Sequence, residues 1–178
     1  GTGWTTLAAY TAPTIVDARA CSTLSSNNGT LPVLALRTNL VILAKKFNLT
    51  TLTMKAATGL ASKPKVWFVT EDATSTDHKP TCGTGYGSLI INGTVTDTTI
   101  TAMAYTPCLI DVGGNAGGID DAWSGAFYGG GWQYGDGLTF TADPIALPGQ
   151  TAASGGGSST GVLGSLVSQR DIAPQEIP

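Results

Sequence analysis

The segment from residue 82 to residue 149 consists of short apolar runs separated by turns rich in glycine or proline. Apolar residues recur once per run, as in SLIING, AYTPC and LTFTADPIALPG, and this spacing is typical of β-strands. Strands that follow one another with only turns between them are typical of all-β folds. The pattern therefore predicts an all-β domain.

The composition limits the class of protein. The chain has 178 residues, enough for one domain with a buried core, and 42% of them are hydrophobic. Only 12% are charged, about half the usual share, so neutral polar groups, above all threonine, must cover the surface. The net charge of −3, without a basic cluster, argues against nucleic-acid binding. No apolar run approaches the roughly 18 residues of a membrane-spanning helix, so we expect no membrane span.

The first part of the chain has more than one interpretation. Residues 4–16 predict short strands or an extended lead-in, and residues 21–30 are typical of a turn. Residues 31–61 contain apolar pairs at a spacing of two, as in the stacked short strands of a solenoid. Strands are favoured there because the flanking segments have strand character. The competing helical stripe consists of Val33, Leu36, Leu40, Leu43 and Phe47.

The clearest strand signal is KVWFVT at residues 65–70. This continuous β-branched and aromatic run predicts a strand buried on both faces, followed by an exposed polar loop at residues 71–81. The dipeptide Asn92-Gly93 predicts a hairpin turn or a solenoid corner. Further strands are predicted at residues 88–91, 94–104 and 138–142, and glycine-rich turns at residues 113–118 and 129–137.

The order of these motifs resembles a known family. DAxxC, KVWFVTED, GSLIINGTV, AYTPC, DAWSGAFYGGG and LTFTADPIALPG follow one another as in the C-terminal domain of bacterial prepilin-like, pilus-associated surface proteins. The matching positions are Asp17, Ala18, Cys21, Cys82, Gly93 and residues 105–108, 123–128 and 144–149. The hydrophobic anchor helix of that family is not part of this sequence.

The resemblance implies a small right-handed parallel β-helix (β-solenoid). The predicted fold is therefore an all-β solenoid with glycine-rich turns and room for one short helix. A β-sandwich is the alternative fold. Residues 1–149 are predicted to form the β-solenoid domain, and residues 150–178 a flexible linker followed by a C-terminal tail.

Three cysteines, Cys21, Cys82 and Cys108, have no C-x-x-C spacing, and the one histidine is His78. A disulfide between Cys82 and Cys108 is favoured, with Cys21–Cys82 and Cys21–Cys108 as alternatives. The remaining thiol is expected to be buried and inert, or else to pair between chains. These residues fit a zinc site or a Cys/His nucleophile poorly, so we expect no catalytic residue, resident metal or cofactor.

Four oxygen-bearing residues among the glycines form a weak candidate for a calcium site: Asp111, Asn115, Asp120 and Asp121. Their spacing matches no EF-hand, and turn-forming Asx residues explain it without a metal. The same carboxylates are a second-choice candidate for a polysaccharide-cleaving pair. Such enzymes use a long groove with clustered acidic residues, and this chain has few carboxylates.

Five aromatic residues lie within a dozen positions among glycines: Trp123, Phe127, Tyr128, Trp132 and Tyr134. The favoured interpretation is that they cap the end of the solenoid and fill the space beside the glycines. The alternatives are packing against a neighbouring subunit and stacking on a sugar. Asn28, Asn48 and Asn92 begin Asn-X-Thr triplets, which permit glycosylation but arise by chance in a threonine-rich chain.

These features predict an extracellular, non-enzymatic structural or adhesive module of a bacterial surface or pilus-like protein. Its expected partners are neighbouring copies, other surface or pilus subunits, and cell-surface glycans. The alternative is a carbohydrate-binding or polysaccharide-cleaving β-helix protein, and a third hypothesis is a filament subunit whose C-terminal tail inserts into a neighbour. The first residues, GTGWTTLAAY, are not a signal peptide, so an extracellular location implies that an export signal or anchor has been removed.

Overall fold

The computed structural model describes residues 3–26, 33–74, 76, 79–84, 87–113, 120–135, 137–146 and 148. Nearly all regular structure in these residues is β-strand, which confirms the all-β prediction. The predicted linker and tail, residues 150–178, lie outside the described residues. One short helix, α1, spans Gly3–Leu7. The strands are β1 (Thr14–Asp17), β2 (Leu24–Ser25), β3 (Val33–Leu36), β4 (Leu40–Ala44), β5 (Phe47–Thr50), β6 (Thr53–Ala56), β7 (Lys65–Thr70), β8 (Leu89–Asn92), β9 (Val95–Thr96), β10 (Thr101–Val112), β11 (Asp121–Tyr134) and β12 (Leu138–Ala142).

The helix α1 corrects the prediction of strand or extended chain for the first of residues 4–16, whereas β1 confirms a strand at the end of that segment. Trp4 and Leu7 lie about one helical turn apart and are both buried, whereas Thr5 and Thr6 are exposed. A helix of 5 residues is too short to form by propensity alone, so burial of these two apolar side chains must stabilise it. No helix in the described part of the chain is long and apolar enough to cross a membrane.

The strands pair in three parallel ladders that join into one curled sheet of 12 strands. Every pairing found among the described residues is parallel, unlike the antiparallel strands of the β-sandwich that was the alternative fold. The first ladder contains β1, β4, β7, β10 and β11. The second contains β2, β5, β8 and the later parts of β10 and β11. The third contains β3, β6, β9, the start of β11, and β12.

The ambiguous residues 31–61 form strands where they are described, as favoured from the sequence. Successive strands there enter different ladders, so β4, β5 and β6 do not pair with one another. The same holds for β8 and β9, and the turn at Asn92-Gly93 is therefore a corner between ladders and not a hairpin. Gly93 has φ of 63°, a left-handed conformation that favours glycine.

The glycine-rich segment 129–137 is predicted as a turn, but most of it belongs to β11. The physical reason lies in the close approach of two backbones where β11 passes the register shift in β10. A Cβ atom on Gly130 would lie 2.1 Å from the carbonyl oxygen of Pro107, so any other residue would collide there. Glycine in this segment therefore marks close strand packing, and of its described residues only Gly135 and Gly137 lie between β11 and β12.

The in-register pairing arranges the core side chains in columns. Leu40 and Ile42 of β4 are buried, and their partners on β7, Val66 and Phe68, are buried as well. Burial alternates residue by residue along β4 in the first ladder and along β5 and β8 in the second, as expected for strands with one face against the core. This shared interior consists mainly of leucine, isoleucine and phenylalanine side chains.

A second apolar cluster lies on the outer side of the first ladder, where residues 143–146 pack against the strands. Ile145 packs against Trp67 and Met103, and the indole Nε1 of Trp67 donates a hydrogen bond of 3.0 Å to the carbonyl oxygen of Ala146. Pro148 lines a cleft on this outer side together with Thr14 and Ile15 of β1, the strand at the far edge of that ladder. β7 is thus buried on both faces, which confirms the prediction for residues 65–70.

A disulfide joins Cys82 to Cys108, with the Cα atoms 4.8 Å apart, as favoured from the sequence. It fastens the long connection between β7 and β8 to the middle of β10. Cys21 is a free thiol, but it is exposed, which corrects the expectation of a buried residue. It lies in a surface bend after β1, where its backbone N–H donates to the carbonyl oxygen of Ala18.

The disulfide should contribute substantially to stability because it closes a loop with a sequence separation of 26 residues. The double substitution Cys82→Ala with Cys108→Ala should lower the free energy of unfolding by about 3–4 kcal/mol. Thermal denaturation should show a decrease in Tm of roughly 10 °C. Cys21→Ala is the matched control and should leave Tm unchanged. An unchanged Tm in the double variant would contradict the pairing.

Candidate functional site

The interior columns of all three ladders end in aromatic residues. In the first ladder the buried Ala104 is paired with Phe127, and in the second the buried Ile110 is paired with Trp132. In the third ladder the buried Trp123 is paired with Phe140. The last residues of the core are therefore large rings, one from each ladder.

These rings form one continuous cluster that reaches back into the core. The rings of Trp123 and Phe127 stack with centroids 4.7 Å apart, and Phe127 stacks on Phe140 at 5.6 Å. Trp132 meets Phe127 at 5.1 Å in a tilted arrangement. On the inner side Trp123 lies 6.1 Å from Phe68. Each such pair contributes roughly 0.5–1.5 kcal/mol beyond the area that it buries.

The outermost rings are left half exposed. Trp132 is 48% exposed, Phe140 47% and Tyr134 53%, whereas the core residues with which they pair are almost fully buried. We call this surface the open end and define it by Phe127, Trp132, Tyr134 and Phe140 together with the outer edges of β11 and β12. Exposed rings that belong to a core column mark a surface where another molecule can continue the packing.

On one side, the strands at the open end have no strand partner among the described residues, although the N–H of Leu138 donates to the hydroxyl oxygen of Tyr134. Among the described residues β12 pairs only with β11, and beyond Gly125 β11 pairs only with β10. The N–H and C=O groups on the other side of these strands can pair with an added strand. Natural edges are often protected by charged residues, yet residues 126–142 contain a single one, Asp136.

The opposite end of the stack of strands, which we call the α1 end, is covered. The side chains of Trp4 and Leu7 close the interior beside Val16 and Leu24. The indole Nε1 of Trp4 donates a hydrogen bond of 2.8 Å to the carbonyl oxygen of Ser25. The two ends of the molecule therefore differ, because a helix covers one interior and nothing in the described chain covers the other.

The five predicted aromatic residues do not act as one group. Trp123 is a core residue, 1% exposed, and its Nε1 donates to the carbonyl oxygen of Ala102. Phe127, Trp132 and Tyr134 lie at the open end. Tyr128 lies on the outer side of the first ladder, beside a cleft of about 300 Å³ that is lined by Met103, Tyr105, Tyr128 and Ile145.

Phe140 was not among the predicted site residues. Its signal is the alternation in LTFTA, which places Leu138 and Phe140 on the same side of the last strand. The alternation predicts the strand, but only the register with β11 shows that Phe140 lies next to Trp123 and Phe127.

The weak calcium candidate does not form a site in the described residues. No group of three or more His, Cys, Asp or Glu residues comes together there to hold a metal, and Asn115 lies outside the described residues. Asp121 is instead a buried corner residue whose Oδ1 accepts a hydrogen bond of 2.8 Å from the backbone N–H of Thr94. Asp120 is exposed, with its Oδ1 near Gly137, and Asp111 is half-buried.

Asp121 has an unusual proton affinity. Burial raises the pKa of its carboxyl from 3.8 to about 6, although hydrogen bonds from the backbone N–H groups of Thr94 and Gly93 favour the charged form. Its Oδ2 atom has no hydrogen-bond partner among the described residues. The folded protein therefore binds a proton at this position more tightly than the unfolded chain does.

Of the asparagines that begin Asn-X-Thr triplets, the structure describes two. Asn48 lies in β5, and its Oδ1 accepts a hydrogen bond from Thr50, the threonine of its own triplet. Asn92 ends β8 at the corner. Asn28 and His78 lie outside the described residues.

Comparison with known proteins found no similar protein from which a function could be inferred. No family model matches the sequence, and neither a curated protein nor a solved structure matches it. The open end is thus the candidate site on geometric grounds.

Burial of Asp121 should make stability depend on pH. Between about pH 4 and pH 6 the folded state holds more protons than the unfolded state, so the free energy of unfolding should fall as the pH rises through this range. Asp121→Asn should remove this fall in Tm measured across the range, and Asp111→Asn should retain it. Asp17 and Asp143, whose pKa values are lowered by Arg19 and Lys63, titrate below this range. Equal slopes for wild type and Asp121→Asn would contradict the assignment.

Two tryptophan substitutions should separate the core from the open end. Trp123→Ala removes a buried side chain and should cost about 3–5 kcal/mol of unfolding free energy in urea denaturation. Trp132→Ala removes a half-exposed side chain and should cost about 1–2 kcal/mol. If both cost the same, Trp132 acts as a cap of the core and not as an exposed contact.

Proposed function

We propose that this protein is an extracellular, non-enzymatic structural module of a bacterial surface or pilus-like assembly, which contacts neighbouring copies or subunits through its open end. The observation that carries the proposal is the difference between the two ends. At the open end, the last layer of the core consists of half-exposed rings, and a backbone edge without a strand partner among the described residues lies beside them. Such a surface is suited to assembly.

The proposal includes the architecture of a small right-handed parallel β-solenoid. Its support is the order of pairing, in which three consecutive strands enter three different ladders before the next strand returns to the first. In a solenoid each coil buries its apolar face only against its neighbours, so a terminal coil needs a cap or a partner. α1 meets this need at one end.

The extracellular location is supported by the Cys82–Cys108 disulfide, because such bonds persist in oxidising compartments and are rare in the cytosol. The low charge of the chain and the resemblance of its motifs to prepilin-like surface proteins agree with this location. The proposal of a structural role comes from the site, since the same fold can serve unrelated functions.

A second function, carbohydrate binding, is favoured by one observation. Tyr105 and Tyr128 are paired in register on the outer side of the first ladder and border the cleft beside Ile145. Two neighbouring tyrosine rings can stack on the face of a sugar. In this alternative Tyr128→Ala should abolish retention on a polysaccharide column, whereas Phe140→Lys at the open end should leave it unchanged.

The proposed location and the structural role are each tested by one measurement on the protein from its native source. The intact mass without reduction should be lower by two hydrogens than the mass after reduction, in material recovered from the cell surface or medium. Incubation with a panel of polysaccharides should yield no product. Reduced protein confined to the cytoplasm would contradict the location, and a product lost in Asp120→Asn would overturn the structural role.

A further inference from the structure

The two ends of the stack of strands present different chemistry to a second molecule. The open end presents Trp132, Tyr134 and Phe140. The α1 end presents the exposed threonines Thr5 and Thr6, because the helix turns Trp4 and Leu7 inward. The exposed Ile15 of β1 and Val33 of β3 project to the outer side of their strands and not over the end of the stack. An aromatic surface buries little apolar area against hydroxyl groups, so the α1 end is a poor complement to the open end.

The chain after β12 leads away from the open end. Asp143 is held by Lys63 and Thr101, and Ile145 then packs on Trp67 and Met103. Pro148, the last described residue, lines a cleft together with Thr14 and Ile15 of β1, the strand of the first ladder that is farthest from the open end. Four steps of about 4.8 Å between neighbouring strands separate β1 from β11, so this cleft extends roughly 19 Å away from β11. The described chain after β12 therefore leaves the rings of the open end uncovered.

Head-to-tail stacking meets an obstacle at the α1 end. The helix covers the interior columns there, so the rings of a second copy could not extend them. The open end has no such cover among its described residues.

We infer that two copies dock through their open ends, face to face, and form a closed two-fold dimer. This inference rests on the proposed function and specifies its partner as a second copy of the chain. A surface that meets its own copy must be self-complementary, and aromatic rings beside free strand edges meet this condition. The rings of each copy cover those of the other, and the free edges of β11 and β12 pair across the interface.

The weak charge of this surface favours the same partner. Two identical faces bring identical charges together, and charged edges would repel each other. Residues 126–142 carry one charged residue in 17 positions, so the repulsion between two copies is small. A closed dimer also removes the exposed edge from further pairing, which an open stack of copies would not do.

Sedimentation of the full chain over a range of concentrations tests the stoichiometry. The wild type should form a dimer and nothing larger. Phe140→Lys should raise the dissociation constant about 30-fold or more, because it places a charge at the centre of a ring-lined interface. Thr139→Lys adds a charge to the same strand without removing a ring, and it should also weaken the dimer if Phe140→Lys fails to fold. Val33→Lys is the matched control: Val33 is 53% exposed, lies in β3 at the α1 end, and should leave the dimer intact.

Distances between spin labels test the orientation. In a Cys21→Ser background, labels at Gln133→Cys on β11 should give short distances between copies. Labels at Thr5→Cys on α1 should give none. A mixture of the two singly labelled proteins should give no short distance between positions 5 and 133.

The outcomes separate the inference from the function on which it rests. A series of growing oligomers with short distances between positions 5 and 133 would overturn the dimer and leave an assembling structural module. A monomer at every concentration would overturn both the dimer and assembly through the open end. A dimer that survives both lysine substitutions on β12 would place the interface elsewhere and overturn the inference.

Discussion

The structure depends on parallel strands that pair in register. Because side chains alternate between the two faces of a strand, register decides which residues of each strand enter the core. The pairing of β4 with β7 places Ile42 next to Phe68, and the pairing of β7 with β10 places Phe68 next to Ala104. A shift by one residue would replace these with residues of the outer face. The column formed by Ile42, Phe68 and Ala104 therefore exists only in this register.

A finite stack of this kind must end, and the two ends of this chain differ. At the first strands a short helix supplies an indole and a leucine side chain that close the interior. At the last strands the core continues into rings that reach the surface, where Trp132 and Phe140 remain half exposed. The segment that follows β12 does not cover these rings but packs along the side of the stack. The geometry of the ends, more than any single side chain, supports assembly as the function.

Much of the fold follows from local patterns in the sequence. The run KVWFVT and the alternation in LTFTA predict β7 and β12, because strand character is set by neighbouring residues. The helix α1 is too short to show a helical period in the sequence. Trp4 and Leu7 can be recognised as its buried residues only from their contacts with the strands. The glycines near Gly130 resemble a turn, yet they serve the approach of β11 to Pro107, a contact between residues distant in sequence.

The candidate site could be predicted only in part for the same reason. The aromatic cluster is visible in the sequence, but its division into a core tryptophan, an open end and an outer tyrosine depends on register. Phe140 joins the site through the pairing of β12 with β11 and carries no motif of its own. Asp121 looks like a metal ligand among glycines, whereas its burial at a corner makes it an acceptor for the N–H of Thr94.

The central claim is that the open end is an assembly surface, and hydrogen–deuterium exchange at several protein concentrations tests it most directly. Backbone amides on the free edges of β11 and β12 should exchange more slowly as the concentration rises, because an added partner would protect them. Amides of α1 and β1 should exchange at the same rate throughout. If protection does not depend on concentration at the open end, or increases at α1 and β1 instead, the account is wrong.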